Sequence, residues 1–170
     1  MEPSEDGVDF TLFLLRHAHA GNAAHWTGDD AERPLSDRGK DQARRLGRLL
    51  AARGVVPDTI VSSPKVRARQ TANLVADALG VGVLSDDRLA EEFDLNLLAE
   101  LMAGVGSGSL MVVGHDPDFS DMLATLVGAA ELPMRKGALA RVDVQMPLGP
   151  GCGVLRYLLP PELLPDPADD

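Results

Sequence analysis

Short apolar runs alternate with amphipathic stretches along this 170-residue chain. That alternation restricts it to βα units laid around a mainly parallel sheet. Phe10–Leu15 predicts the first buried strand. A helix is expected from Ser36, a residue of the N-cap type, to Arg53 before Gly54, with Ala43, Leu46 and Leu50 on one face. Thr59–Val61 predicts a second strand, and Lys65 to Leu79 a helix ended by Gly80. Leu95, Leu98 and Met102 fall at helical spacing between Leu95 and Ala103. Leu110–Val113 predicts the third strand, and Phe119, Met122, Leu123 and Leu126 mark one more helix. Ala138 to Met146 alternates apolar with polar, as a strand with one wet face would, and Val154–Leu159 predicts the last strand. The expected fold is α/β, a single-domain three-layer sandwich whose mainly parallel central sheet is flanked by helices. Residues 1–9 read as a flexible acidic N-terminus, 10–160 as the domain, and 161–170 as a loose tail rich in proline and acids.

Charge narrows the partners. The net charge is −10 and the pI is about 4.7, which argues against nucleic acid and anionic membranes. The charge is nonetheless segregated: residues 1–32 carry −6, residues 33–69 carry +7 and residues 70–170 carry −11. A local anion-attracting face is therefore compatible with the acidic total, as is a solvated basic helix surface. The N-terminal stretch lacks the basic flank and apolar core of a secretory signal, and no apolar run is long enough to span a membrane, so a cytoplasmic location is expected. Cys152 is the only cysteine, which leaves no intrachain disulfide and no cysteine-rich zinc site; a packing or surface thiol is expected.

Three motifs sit at the carboxyl ends of predicted strands, where the ligand sites of open α/β sheets collect. They are Leu15-Arg16-His17-Ala18-His19, the segment Ser62-Ser63-Pro64-Lys65-Val66-Arg67-Ala68-Arg69-Gln70-Thr71, and Val113-Gly114-His115-Asp116-Pro117. Neighbouring parallel strands bring two histidines and at least two arginines to one rim. Arginine offers a planar fork of donors that matches phosphoryl oxygens and stays charged at any working pH. A neutral histidine in such a pocket can attack phosphorus, and a second can donate to the equatorial oxygens. This chemistry calls for no metal and no cofactor.

These residues resemble the histidine phosphatase superfamily, the phosphoglycerate-mutase-like fold, and within it the short SixA-like branch of phosphohistidine phosphatases. The resemblance is carried by Arg16-His17-Ala18, by Arg33-Pro34-Leu35-Ser36 with Arg38-Gly39, by Ser62-Ser63-Pro64 through Arg67 to Gln70-Thr71-Ala72, and by Gly114-His115. It spans about residues 10–128. It implies that His17 is the nucleophile and becomes phosphorylated, that Arg16 and Arg67 cradle the phosphoryl group, that Arg33 reaches the same pocket and that His115 completes it. Mutase-like members carry an acid in a Leu-x-Glu setting, which Leu89-Ala90-Glu91 matches, so the resemblance implies Glu91 as general acid and leaves adjacent Glu92 solvated. The short branch often has Lys where this chain has His19, and His19 is expected at the rim.

Other readings fit less of the chain. His17-Ala18-His19 has a metal-ligand spacing, yet no further ligand set accompanies it among the four histidines, one of which, His25, lies in a polar loop. Gly104, Gly106 and Gly108 precede a strand where a dinucleotide loop would follow one. A module that binds a phosphoprotein without turnover could use the same arginines, but would not need both histidines. The chain is too short for large cap segments, so an open pocket is expected, suited to phosphohistidine on a protein partner or, alternatively, to small phosphoesters.

Overall fold

A computed structural model describes residues 9–106 and 108–166. Six strands form one sheet in the order β3-β2-β4-β1-β5-β6. In chain order they are β1 (Phe10–Arg16), β2 (Thr59–Ser62), β3 (Val83–Ser85), β4 (Ser109–Gly114), β5 (Leu139–Val144) and β6 (Gly153–Leu159). The helices are α1 (Asp37–Ala52), α2 (Val66–Leu79), α3 (Leu95–Val105) and α4 (Asp118–Val127), joined by short 3-10 turns. Strands β1, β2, β3 and β4 run parallel, whereas β5 pairs antiparallel with both β1 and β6.

The three layers follow from the two-residue period of the strands. Leu12 and Leu14 of β1 face a cluster that includes Leu98, Leu101 and Met102 of α3 and Phe119, Met122 and Leu123 of α4. Phe13 and Leu15 face the opposite cluster, built with Leu46 and Leu50 of α1 and Ala68, Ala72 and Val75 of α2. Because β1 is covered on both faces, it reads in sequence as an unbroken apolar run. Helix ends obey local chemistry: the Ser36 hydroxyl accepts from the Gly39 amide, and Gly80, Gly106 and Gly128 close their helices in the left-handed conformation. Gly104 lies in the last turn of α3 and Gly106 caps it.

Three expectations change. β3 was not anticipated. The strand around residues 139–144 has no wet face, because Asp143 is buried and paired with Arg141 at 3.1 Å and Arg156 at 2.6 Å. The stretch after Pro160 is not loose as far as Asp166: Pro161–Leu163 form a 3-10 turn and Leu164 packs, 6% exposed, into the α1/α2 cluster. The expected flexible N-terminus, apart from Asp9, and residues 167–170 of the tail lie outside the described residues. Cys152 is half-buried against the core. No helix among the described residues is long and apolar enough to cross a membrane.

Candidate active site

Strand register assembles the site. Arg16 at the end of β1 stands opposite Gly114 at the end of β4, and Ser62 at the end of β2 stands opposite Val113. The next residues, His17, His115 and Ser63, therefore emerge side by side. The backbone continues the sheet past its formal ends: the His17 amide donates to the Gly114 carbonyl at 3.0 Å and the Ser63 amide to the Val113 carbonyl at 2.9 Å. The Gly137 amide donates to the carbonyls of Arg16 and His17, at 3.1 and 2.9 Å. The two imidazole rings lie 5.3 Å apart between centroids, tilted by 52°.

A hydrogen bond to a carbonyl assigns the proton on His17. His17 Nδ1 lies 2.8 Å from the Ala18 carbonyl. A carbonyl only accepts, so Nδ1 carries the hydrogen and Nε2 keeps its lone pair. Ser63 Oγ accepts from the Lys65 amide and lies 2.8 Å from His115 Nε2. The hydrogen of this bond can come from the hydroxyl or from Nε2, and His115 Nδ1 is buried with no partner among the described residues. Burial, above all, lowers the pKa of both histidines to about 3. Nearby Arg67 and Arg16 push His17 the same way, and His17, Arg67 and Lys65 do so for His115. Both rings are therefore neutral at physiological pH, as a nitrogen nucleophile requires.

The arginines are held but not exhausted. Arg16 Nη1 donates to the Met134 carbonyl at 2.7 Å and pairs with Asp116 at 3.2 Å, while its Nε is buried without a partner among the described residues. Arg67, in the first turn of α2, gives both Nη atoms to Asp30 and leaves Nε buried, again without a partner among the described residues. Arg33 binds Asp30 through Nε at 2.9 Å and the Ala20 carbonyl through Nη1 at 2.8 Å. Glu91 is 78% exposed at the rim, 3.4 Å from Lys65, and Glu92 is exposed beside it. His19 also sits at the rim, its Nδ1 2.7 Å from the Ser36 hydroxyl. His25 is exposed in a separate turn. Among the described residues no group of three His, Cys, Asp or Glu side chains could hold a metal ion.

The remaining motif residues are scaffolding for this arrangement. The Ala18 amide donates to Thr71 Oγ1, whose hydroxyl donates to the Arg67 carbonyl. Gln70 Oε1 accepts from the Leu35 amide. At Gly39, helix α1 approaches so closely that a Cβ would lie 2.0 Å from the His19 carbonyl oxygen. Two residues escaped the sequence reading. Asp30 is one. Lys136 is the other: half-buried, it raises the positive potential at His17 and has its own pKa lowered by desolvation, then by Arg16, Arg33 and Arg67. The Lys-Gly pair at the turn into β5 was the available signal, since Gly137 hydrogen-bonds the carbonyls that flank the His17 Cα.

The profile of the histidine phosphatase superfamily (branch 1) matches residues 12–102. The chain belongs to this superfamily. It is 28% identical over 128 residues to phosphohistidine phosphatase SixA of Escherichia coli strain K12, spanning 72% of this chain and 78% of that protein. It is 35% identical over 82 residues to an 8-oxo-(d)GTP phosphatase of Mycolicibacterium smegmatis, but those residues cover 48% of this chain and only 25% of the relative. A solved structure of the protein histidine phosphatase SixA complexed with tungstate superposes with a TM-score of 0.80 at 25% identity, covering 92% of this chain and 100% of that one. The histidine phosphatase fold is thus present nearly end to end, with histidine-phosphatase chemistry.

Proposed function

We propose that this protein is a phosphatase that passes the phosphoryl group through His17, with phosphohistidine on a protein as its substrate. The observation that carries the reading is a set of three buried nitrogens without partners among the described residues, the donors Arg16 Nε and Arg67 Nε and the ring atom His115 Nδ1, beside a histidine whose Nε2 keeps its lone pair. Buried polar atoms are rarely left unpaired, and a tetrahedral oxyanion accepts from both arginine N–H groups and from His115 in its Nδ1–H tautomer. His17 Nε2 attacks phosphorus in line; the new P–N bond forms as the bond to the substrate imidazole breaks, and the leaving ring takes a proton from solvent. Arg16, Arg67 and His115 stabilise the charge on the equatorial oxygens. Water then displaces His17, releasing phosphate and restoring the neutral ring. Arg33 adds its remaining donors from behind Asp30, and Glu91 at the rim is the proton source for leaving groups more basic than imidazole.

The substrate class rests on the relatives named phosphohistidine phosphatase or protein histidine phosphatase. Small phosphoesters are the second reading, favoured by the 8-oxo-(d)GTP phosphatase relative. The proposed setting is cytoplasmic, with residues 10–160 as the catalytic unit and the segment to Asp166 packed on it. The deciding experiment is rapid quenching of wild type and His17→Ala with a phosphohistidine protein, phosphotyrosine peptide and sugar phosphates. Acid-labile, base-stable phosphate is expected on wild type and not on the variant, with fastest release from phosphohistidine. Full turnover by His17→Ala overturns the mechanism, and a large preference for sugar phosphates overturns the substrate class.

A further inference from the structure

Asp30 is gripped by two guanidinium groups at once. It begins the 3-10 turn Asp30–Glu32, which Asp29 caps. Its backbone carbonyl accepts from Arg67 Nη1 at 2.7 Å and its Oδ2 from Arg67 Nη2 at 3.0 Å. Its Oδ1 accepts from Arg33 Nε at 2.9 Å, and Arg33 is anchored in turn on the Ala20 carbonyl. A guanidinium has a terminal edge, made by its two Nη atoms, and a lateral edge, made by Nε and one Nη. Asp30 occupies the terminal edge of Arg67. The lateral Nε–H is buried without a partner among the described residues.

We propose that Asp30 is a positioning residue of the phosphoryl site: it fixes the terminal edge of Arg67, braced by Arg33, so that the lateral edge faces the phosphoryl group. The inference rests on the phosphatase reading above. An arginine held before substrate arrives loses less rotamer freedom on binding and keeps its donors aimed as charge develops. Hydrogen bonding from Arg33 keeps the Asp30 carboxyl below the usual carboxylate range, so the clamp is charged wherever the enzyme works. A carboxylate between two arginines could act in the opposite sense, by competing with the phosphoryl group. The two roles predict opposite signs.

The test measures kcat, KM and the inhibition constant for vanadate in Asp30→Asn and Asp30→Glu, each with Arg67 intact and with Arg67→Ala. Clamping predicts that Asp30→Asn lowers kcat roughly 10–100-fold, the scale of a misplaced catalytic group, and weakens vanadate about 10-fold while KM moves little. Asp30→Glu, which keeps the charge, recovers part of the loss and serves as the probe if the Asn protein does not fold. Once Arg67 is Ala, replacing Asp30 changes kcat less than about twofold, since both act through one contact. Tighter vanadate binding in Asp30→Asn overturns the proposal in favour of competition. An equal loss with and without Arg67, or a lowered Tm with unchanged vanadate inhibition, overturns it in favour of a purely structural turn. A wild-type protein that neither turns over phosphohistidine nor binds vanadate overturns the phosphatase reading itself, whereas an active wild type with unaffected Asp30 variants overturns only the clamp.

Discussion

Lowering the pH from 7 to 5 should destabilise this protein through its two site histidines. His17 is 5% and His115 7% exposed, and burial brings both down from the ordinary 6.5 to about 3. In the unfolded chain both titrate normally, so between about pH 3 and 6.5 the unfolded state binds more protons than the folded state. Stability therefore increases with pH across that window and falls as the pH drops through it. At pH 5 each unfolded histidine is about 1.5 pH units below its pKa while its folded counterpart is still neutral. At 1.36 kcal/mol per unit this is about 2 kcal/mol per histidine, or about 4 kcal/mol for the pair. Urea unfolding of wild type and of the His17→Asn/His115→Asn double variant at both pH values isolates the effect, since carboxylate contributions are common to both. Wild type should lose about 4 kcal/mol more than the variant between the two pH values. Equal losses would refute the claim that these rings are held neutral by the fold.

Two substitutions probe the site by other routes. Gly39→Ala places a Cβ 2.0 Å from the His19 carbonyl oxygen, and such overpacking should cost about 1–3 kcal/mol; thermal unfolding should show a drop of roughly 2–12 °C together with reduced turnover, and an unchanged Tm would disprove the close approach. Glu91→Gln should slow alkyl phosphate hydrolysis by roughly 10²–10⁴-fold while phosphohistidine cleavage falls only slightly, because imidazole leaves without strong acid assistance; equal losses on both substrates would remove Glu91 as the proton donor.

The parts of the fold visible in sequence are those whose physics is local. β1, β4 and the helix caps at Ser36 and Gly80 were readable because burial on both faces makes an unbroken apolar run and because caps have their own residue chemistry. His17, His115, Arg16 and Arg67 were readable because motifs at the ends of parallel strands meet at one rim. β3 was hidden: at three residues, largely exposed, it is too short to show a strand period, and its existence depends on pairing with β2. Asp143 looked solvent-facing because its neutralising partner Arg156 lies on the neighbouring strand, β6. Leu164 is one apolar anchor among prolines and acids, and its contacts lie far away in sequence. Asp30 left only a faint trace, its three-residue spacing from Arg33; its second partner, Arg67, is 37 residues away.

The two halves of the site should differ sharply in hydrogen exchange. The amides of His17, Ser63 and Gly137 are bonded to carbonyls at the ends of the central strands, so they should exchange only when the middle of the sheet opens, at a free energy near that of global unfolding. The turn that carries Asp30 lies in a mostly exposed stretch, residues 22–30, whose internal bonds are short-range. Its amides should exchange through small local openings, orders of magnitude faster. A nick or insertion in that stretch would leave the attacking histidine seated in its frame while releasing the arginine that faces it.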